Sequence, residues 1–318
     1  MTVALVTGAA GQDGSYLVER LLADGAEVHG LVRPGDADGT PLPPGVHRHA
    51  VDLADRAGLR GLVAYVRPDG LYHLAGVSSV AQSWQEPERT AELSGLAVVT
   101  LLDAALRVQD DAGRPVRFVQ ASSAEIFGEP DRVPQDESTA VRPLNPYGAT
   151  KAFAHQMAGV YRARGLHAAS CVLFNHESPR RPPSFVTRKI TMAAARIART
   201  GEGVVTLGNL DARRDWGWAP DYVDAMVRAA RHTEALDVVV ATGETHAVRD
   251  FALAALRHAG VADAEDRIVS DPAFFRPADA AQLVGDPKRA REVLGWRPTR
   301  GFEEVVAAMV DHDLGLLA

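Results

Sequence analysis

Short apolar runs alternate with helical periodicity through the first half of the chain. Runs of about four to eight apolar residues indicate buried strands, whereas apolar residues spaced three and four apart indicate a helix with one buried face. Such runs predict strands at residues 3–7, 27–32, 46–53, 70–74, 117–122 and 167–174. Strands that alternate with helices of about 10–15 residues predict a parallel sheet with helices on both faces. The predicted fold class is therefore α/β, with a doubly wound parallel sheet.

The pattern changes after residue 174. Residues 175–188 are rich in proline, serine and arginine, which predicts an ordered loop. Strands are predicted near 204–207 and at 237–242, and the second of them could rejoin the sheet. Helices are predicted at 189–199, 248–259, 287–294 and 302–313. We therefore predict one domain of residues 1–174 and about 215–243, and a smaller, discontinuous domain of about 175–214 and 244–318.

Composition and charge narrow the functional classes. The chain has 318 residues with 46% hydrophobic residues and a net charge of −7, which is average for a globular protein and argues against general binding of nucleic acid. A single cysteine, Cys171, excludes an internal disulfide. No apolar run approaches the ~20 residues that span a bilayer, and the first residues do not resemble a signal peptide. We expect a cytoplasmic protein without membrane or nucleic-acid partners, and we predict no metal centre.

A glycine-rich turn separates the first strand from the first helix. Gly8, Gly11 and Gly14, with Gln12 and Asp13 between them, occupy this turn. Glycines there let the backbone approach a pyrophosphate, and the helix N-terminus offers free N–H groups and a positive dipole end. The larger domain is therefore predicted to be a Rossmann-type domain that binds a dinucleotide.

The end of the second strand bears on the choice of cofactor. Arg33 stands there, where an acidic residue would bind the ribose 2′-hydroxyl of NAD and an arginine suits a 2′-phosphate. This favours NADP, with NAD left open. Asp52, after the third strand, is a candidate contact for the adenine amino group, although an aspartate there is also typical of a helix cap.

A tyrosine and a lysine four residues apart begin a predicted helix. Tyr147 and Lys151 follow Asn145 and Pro146, a capping residue and a proline suited to the first helical position. The i, i+4 spacing puts both side chains on one face, where the ammonium is expected to lower the tyrosine pKa and make it a usable base. Ser123 and Glu125, at the end of the preceding strand, are expected to point the same way because strand side chains alternate.

These motifs resemble the extended short-chain dehydrogenase/reductase family and, within it, the GDP-mannose 4,6-dehydratases. The segments that carry the resemblance are residues 7–16 (TGAAGQDGSY), 118–128 (FVQASSAEIFG), 173–181 (LFNHESPRR), 185–190 (FVTRKI), 207–223 (LGNLDARRDWGWAPDYV) and 276–296. The chain departs from the family pattern at Ser123, where a threonine is usual, at Ala124 and Phe127, and at Pro34, where a second arginine is usual.

The resemblance implies an enzyme that removes water from a nucleotide sugar, with GDP-mannose as the expected substrate. It implies Ser123, Glu125, Tyr147 and Lys151 as catalytic residues. Further cofactor contacts would come from Leu53, Leu74, Ala75 and Ser78, and substrate contacts from Ser79, Asn175, Arg188, Lys189, Arg214 and Arg276. Arginine suits a diphosphate because its planar fork donates two hydrogen bonds. The smaller domain would then hold the nucleotide sugar.

Three alternatives remain open from the sequence. A nucleotide-sugar decarboxylase, such as one acting on UDP-glucuronate, shares the first oxidation at C4 and carries the same set of serine, glutamate, tyrosine and lysine. A 4-epimerase also oxidises C4, but it needs no base at Glu125. The third is a cofactor-binding sensor without turnover, which is disfavoured because Tyr147 and Lys151 are both present.

The resemblance also implies a homodimer through the helices near 90–108 and after Tyr147, with Ala154, Ala158 and Gly159 expected on the outer face.

Overall fold

The computed structural model describes residues 2–35 and 40–317, and part of the short Gly/Pro-rich stretch after Pro34 lies outside them. The strands are β1 (Val3–Thr7), β2 (Glu27–Val32), β3 (Val46–Ala50), β4 (Gly70–His73), β5 (Arg117–Ser123), β6 (His167–Leu173), β7 (Asn175–Glu177), β8 (Val205–Leu207), β9 (Arg213–Arg214), β10 (Trp216–Trp218), β11 (Asp237–Val240), β12 (His246–Ala247), β13 (Ile268–Ser270) and β14 (Gln282–Leu283).

The helices are α1 (Gln12–Ala23), α2 (Arg56–Val66), α3 (Val80–Gln85), α4 (Pro87–Ala91), α5 (Ala97–Ala112), α6 (Pro146–Ala163), α7 (Val186–Thr200), α8 (Ala219–Arg231), α9 (Val248–His258), α10 (Lys288–Val293) and α11 (Phe302–Gly315). A π-helical turn, Glu92–Leu96, joins α4 to α5, and short 3₁₀ turns lie at Ala124–Ile126 and Pro272–Phe274. Across the described ranges, no helix is long and apolar enough to span a membrane.

Seven parallel strands form the central sheet in the order β3-β2-β1-β4-β5-β6-β11. The chain runs outward from β1 to β3 and then returns to β4 on the other side of β1, which makes the β1/β4 boundary the topological switch point. Ligands of doubly wound sheets bind at the carboxyl ends of the strands beside such a point. The predicted fold class is confirmed, and β11 does rejoin the sheet, pairing Asp237 with Ser170 of β6.

Apolar side chains cover both faces of the sheet. Leu17 and Leu21 of α1 and Tyr222 of α8 belong to the core on one face. Leu59 of α2 and Leu101 of α5 belong to the core on the other face. Continuous burial on both faces explains why β1, β2, β4, β5 and β6 appear in the sequence as apolar runs rather than as alternating patterns. Strand β3, at the edge of the sheet, is largely exposed and polar.

A third core lies among α7, α9 and α11. Ile190, Phe251, Val305 and Met309 are buried in it, and the Trp216 ring of β10 meets Phe251 edge-on at 5.1 Å between centroids. These elements come from the part of the chain predicted to form the smaller domain, and the domain boundaries stay a prediction.

The expectation of a loop at residues 175–188 is wrong at both ends. Asn175–Glu177 forms β7, which pairs in parallel with β10, and α7 begins at Val186. A three-residue strand is too short to show a period, and its partner strand lies about forty residues further along the chain. Neither feature leaves a local signal in the sequence.

Candidate active site

The glycine turn brings β1 and α1 close enough for a phosphate to reach the helix N-terminus. Gly8 has a φ of +72°, a conformation that glycine adopts without strain. A Cβ on Gly14 would overlap the Gly8 carbonyl oxygen, so only glycine fits there. Gly11 is exposed and precedes Gln12, the first residue of α1. The N–H groups of the first helical turn have no partners within the helix and are free to bind an anion.

Gln12 and Asp13 connect this turn to β7. The Gln12 amide donates to the His176 carbonyl oxygen at 3.1 Å and accepts from the Ser178 hydroxyl at 2.9 Å. The Asp13 carboxylate contacts His176 Nε2 at 2.8 Å, and His176 Nδ1 lies 2.7 Å from the Phe174 carbonyl oxygen. Because both ring nitrogens face acceptors, both must donate, and His176 is a cation. Its pKa is raised, since Asp13 outweighs the opposing effect of burial.

The ends of β1 and β4 form the other side of the switch point. The Thr7 hydroxyl lies 2.8 Å from His73 Nδ1 and accepts from the backbone N–H groups of Leu74 and Ala75, both at 3.2 Å. Burial lowers the pKa of His73 to about 3, so this histidine is neutral and structural. Leu74 and Ala75 are thereby held against Gly8, at the edge where a cofactor is expected.

The other predicted cofactor contacts lie beyond strand ends at the same edge. Arg33 follows β2, and Ser78 is exposed beyond β4. Asp52 and Leu53 follow β3, where the Asp52 carboxylate accepts from the backbone N–H of Ala54 at 2.8 Å. Asp55 rather than Asp52 caps α2. The exposed Asp52 therefore sits in a local turn, and its contact with an adenine stays a prediction.

Helix α6 presents Tyr147 and Lys151 to the end of β5. Its N-cap is Asn145, whose side chain accepts from the Gly148 N–H at 2.8 Å, as the Asn-Pro signal predicted. The buried Lys151 ammonium donates to the Ala121 carbonyl oxygen at 2.9 Å and lies 5.8 Å from the centroid of the Tyr147 ring. The backbone N–H of Tyr147 donates to the Ser83 hydroxyl at 3.1 Å, which fixes the start of α6 against α3.

The expected lowering of the tyrosine pKa is wrong for this structure. Burial raises the pKa of Tyr147 to about 12, with Glu125 adding to the rise, and the Ser123 hydroxyl and the Arg181 guanidinium oppose it only in part. Burial also lowers the pKa of Lys151 to about 8. Burial disfavours the charged form of both groups, and for Tyr147 it outweighs the stabilisation of phenolate that the i, i+4 spacing predicts.

Ser123 and Glu125 share an edge of the sheet, but not for the reason expected. Strand β5 ends at Ser123, and Glu125 lies in the 3₁₀ turn that follows, so strand alternation does not apply to it. The Ser123 hydroxyl accepts from the Glu125 N–H at 3.3 Å, and the Asn145 amide donates to Glu125 Oε2 at 2.8 Å. A Cβ on Gly148 would lie 2.5 Å from the Glu125 carbonyl oxygen, so glycine allows α6 to approach this turn.

Arg181, which is not among the predicted site residues, lies close to this site. Arg181 packs over the Phe185 ring at 4.0 Å, and its Nε is 3.0 Å from Oε2 of the buried Glu177. Its charge helps to lower the pKa of Asp13 and opposes the rise that burial causes in the pKa of Tyr147, so it acts on the start of α6 and on the glycine turn. The LFNHESPRR segment was the available signal, but spacing alone could not tell a site arginine from a surface one.

The structure turns Arg188 inward, against the prediction of a substrate contact. Its buried guanidinium contacts both carboxylate oxygens of Asp313, at 2.6 to 3.1 Å, and donates to the carbonyl oxygens of Pro179 and Arg181. Asp313 also accepts from the Thr191 hydroxyl at 2.7 Å. All of these partners are within the protein, so Arg188 ties α7 to α11 rather than facing a ligand.

Three other predicted substrate residues have one region in common. Arg214 contacts Asp279 at 2.6 Å, and Arg276 contacts the same carboxylate at 3.1 Å. The Lys189 ammonium lies 4.1 Å from the centroid of the Phe274 ring, two residues from Arg276. The two arginines share one carboxylate, which leaves a net positive charge and suits a diphosphate.

Ser79 and Asn175 occupy element ends. Ser79 caps α3 and accepts from the Gln82 N–H at 3.1 Å, and α3 in turn holds the start of α6 through Ser83. Asn175 opens β7 and is half-buried opposite Trp216. The Ser79 hydroxyl thus already accepts a hydrogen bond within α3. The predicted contacts of Ser79 and Asn175 with substrate stay predictions.

A doubly wound sheet that carries a glycine turn, a serine and a Tyr-x-x-x-Lys helix at its carboxyl edge defines an extended short-chain dehydrogenase/reductase. The family model for GDP-mannose 4,6 dehydratase matches residues 5–309. The chain belongs to this family, and the predicted resemblance is confirmed.

Individual relatives extend over the whole chain. GDP-mannose 4,6 dehydratase 2 of Arabidopsis thaliana is 43% identical over 99% of this chain and 87% of its own length. GDP-mannose 4,6-dehydratase of Yersinia enterocolitica is 38% identical over 99% of this chain and 94% of its own. Among solved structures, UDP-glucose 4-epimerase of Thermus thermophilus in complex with NAD is 32% identical with a TM-score of 0.85, covering 98% of this chain and 99% of that one.

Proposed function

We propose that this protein is a GDP-mannose 4,6-dehydratase that converts GDP-mannose to GDP-4-keto-6-deoxymannose. The observation that carries the proposal is the placement of Glu125. Its carboxylate is held by the amide of Asn145, the cap of the helix that bears Tyr147. A reaction that only oxidised C4 would need Tyr147 and Ser123 alone, and a carboxylate fixed beside them suits the removal of a second proton. Relatives named for this activity match the chain over nearly its whole length.

The residues of the switch point fit a nicotinamide dinucleotide. Gly14 cannot carry a side chain, Gly11 is exposed beside the N-terminus of α1, and Leu74 and Ala75 are fixed at the facing edge. A nicotinamide held there would supply reversible hydride transfer with the sugar. Arg33, after β2, supports NADP, because an arginine suits a 2′-phosphate. NAD remains the alternative cofactor, because the related epimerase was solved in complex with NAD.

The side chains divide the proton transfers among them. Tyr147 accepts the proton of the sugar 4-hydroxyl, and the Ser123 hydroxyl donates a hydrogen bond to the C4 oxygen as it becomes a carbonyl. That carbonyl acidifies the hydrogen at C5, which Glu125 removes as a general base. The C6 hydroxyl leaves as water with one of the two protons held by Tyr147 and Glu125, which leaves a double bond between C5 and C6. Saturation of that bond would take the hydride at C6 and the other proton at C5. The sugar would thus lose one water with no net oxidation, and both residues would return to their starting protonation states.

The substrate diphosphate would lie near Lys189, Arg214 and Arg276. The two arginines already share Asp279, and Lys189 lies over Phe274 on the adjoining turn. Asn175, at the start of β7, and Ser79, at the cap of α3, are proposed to face the sugar. Arg188 is left out of the proposed set because its partner, Asp313, is only 2% exposed, whereas Asp279, the partner of Arg214 and Arg276, is 21% exposed.

Mass spectrometry of substrate incubations tests the function directly. Purified protein with its retained cofactor, supplemented with NADP in a parallel sample, is incubated separately with GDP-mannose, UDP-glucose and UDP-glucuronate. Loss of the mass of one water from GDP-mannose supports the proposal. Loss of carbon dioxide from UDP-glucuronate alone would instead support a decarboxylase, and an epimerised UDP-sugar of unchanged mass would support an epimerase. If the protein binds cofactor but converts none of the three nucleotide sugars, the result would support a cofactor-binding sensor.

We propose that the protein forms a homodimer through α5 and α6. Leu96, in the π-helical turn that leads into α5, is 43% exposed, and Phe153 and Val160 on α6 are 40% and 51% exposed. The earlier expectation about the small residues is wrong, because Ala154 and Ala158 are fully buried in the protein's own core and Gly159 is half-buried. The exposed face carries larger apolar side chains instead, and burying them against a second subunit would stabilise a dimer more than burying alanine or glycine would.

Sedimentation velocity tests the assembly. The wild-type chain is expected to sediment as a dimer at micromolar concentration, and Val160→Lys on the exposed face is expected to shift it toward the monomer. Tyr65→Lys, which replaces an exposed aromatic on the outer surface of α2, is the control and should leave the dimer intact. A monomeric wild-type protein would refute the proposal.

A further inference from the structure

Four side chains with metal-binding groups meet on one face of the sheet at its β2–β3 edge. Glu27 and His29 are two residues apart on β2, and His47 and His49 are two residues apart on β3. Residues two apart in a strand share a face, and the parallel register sets His29 directly beside His47. The sequence contains the two short motifs Glu-x-His and His-x-His, and only the strand pairing brings them together.

The distances among the potential ligand atoms suit one small cation. Glu27 Oε1 lies 3.1 Å from His29 Nε2 and 3.9 Å from His47 Nε2, and all three atoms lie within 4.8 Å of one another. Metal–ligand bonds of about 2.0–2.1 Å in a tetrahedral site separate neighbouring ligand atoms by roughly 3.3 Å. The His29 and His47 rings are stacked at 4.7 Å between centroids. The His47 ring, more than half exposed, is free to turn its Nε2 toward the same point.

The fourth side chain supports the first three. His49 Nε2 lies 2.8 Å from His29 Nδ1, the ring nitrogen of His29 that does not face Glu27. Histidines that bind metals hold their second ring nitrogen in a hydrogen bond of this kind, which fixes the tautomer and the ring orientation. In the metal-free protein, His29 Nε2 makes a hydrogen bond with Glu27 Oε1 at 3.1 Å. With a cation bound, His29 Nδ1 would donate to His49, and the lone pair of His29 Nε2 would face the ion beside the Glu27 carboxylate.

We propose that Glu27, His29 and His47 bind a divalent transition-metal ion of the zinc class, with His49 as a positioning residue. Two imidazoles and one carboxylate are a ligand set that Zn²⁺ accepts in proteins, and water would complete the coordination. Glu27, at the amino end of β2, lies roughly 16 Å along the strand from the carboxyl end at Val32, and His29 lies roughly 10 Å from that end. The site is therefore separate from the candidate active site, and it would join the edge strand β3 to the rest of the sheet.

Metal titration of the full-length protein, freed of any affinity tag and stripped with a chelator, tests this proposal. Calorimetry with ZnCl₂ should show one equivalent bound per chain, and metal analysis after gel filtration should find the same ratio. Co²⁺ as a spectroscopic substitute should give the visible absorption of a four-coordinate site with nitrogen and oxygen ligands. The melting temperature should rise with zinc concentration by mass action.

Variants separate this site from adventitious binding. His47→Ala and Glu27→Gln should each weaken zinc binding at least tenfold and abolish the rise in melting temperature. His49→Ala should weaken it by about 10–100-fold, as loss of a positioning partner does. His258→Ala, which removes a partly exposed histidine paired with Asp311 on α11, is the matched control and should bind zinc like the wild type.

The result that would overturn the proposal is a wild-type protein that retains no stoichiometric zinc, or a His47→Ala variant that binds it unchanged. The melting temperatures of the metal-free variants establish that each one folds, which is expected because His47 lies on an exposed edge strand. Conversion of GDP-mannose is measured separately. Its failure would leave the zinc result standing, because the two sites share no residue.

Discussion

Glu125→Gln separates oxidation from elimination in the proposed reaction. Glu125 Oε2 accepts one hydrogen bond, from the amide of Asn145 at 2.8 Å, and a glutamine can present its carbonyl oxygen to the same donor. The substitution preserves size and that contact, so α6 and Tyr147 should keep their positions. What it removes is the ability to accept the proton from C5.

The size of the effect follows from that lost step. A positioned general base contributes about 10²- to 10⁴-fold to rate, so product formation from GDP-mannose should fall by that factor. Cofactor binding should persist, and oxidation at C4 should still occur, which is visible as absorbance of the reduced nicotinamide in a single turnover. Exchange of the C5 hydrogen in deuterated solvent should fall together with product formation.

Asn145→Ser is the companion variant. The Asn145 side chain caps α6 through its oxygen and holds Glu125 through its nitrogen. Serine is a comparable N-cap, so the free energy of unfolding should change by only a few tenths of a kcal/mol, whereas the carboxylate loses its donor and turnover should fall. If Glu125→Gln dehydrates GDP-mannose at the wild-type rate, Glu125 is a structural partner of the cap, and the assignment of the C5 base is refuted.

Three further results are expected. Tyr147→Phe should show no reduced nicotinamide in a single turnover, unlike Glu125→Gln, because the first proton transfer is lost; appearance of that absorbance would contradict the role of Tyr147. Asp313→Leu should lower the free energy of unfolding in urea by about 3–5 kcal/mol, because it leaves the buried Arg188 charge unpaired, whereas Arg188→Met combined with Asp313→Leu should recover most of that loss. His176→Gln should lower the free energy of unfolding most below about pH 6.5. The difference from the wild type should shrink as the pH rises through the raised pKa of His176, because the wild-type protein loses its ion pair there. A difference that does not change with pH would mean that His176 is neutral.

Patterns confined to one segment predicted much of this fold. The apolar runs gave β1 and β2 with their observed bounds, and the Asn-Pro signal placed the start of α6 at Pro146. The glycine turn was assigned because its meaning depends only on the strand before it and the helix after it. Features of this kind survive in the sequence since neighbouring residues create them.

Features made by distant segments could not be predicted. Arg188 and Lys189 are adjacent in a basic stretch, yet one reaches Asp313 inside the protein while the other lies over Phe274. Their difference depends on where α11 and the turn at Pro272–Phe274 pack, which no local pattern records. The cluster of Glu27, His29 and His47 at the edge of the sheet could not be predicted for the same reason, because the register of β2 against β3 creates it.

The pKa values place a limit on how the site works. Burial raises the pKa of Tyr147 to about 12, far above neutrality. The Lys151 ammonium, 5.8 Å from the centroid of the Tyr147 ring, donates to the Ala121 carbonyl oxygen, and burial lowers the pKa of this lysine as well. Tyr147 is therefore not a base in the protein alone, and the remaining stabilisation has to come from the bound ligands and from a concerted transfer. An enzyme that holds its base inactive until the site is filled does not remove protons at random, which suits a cycle whose two redox steps must cancel.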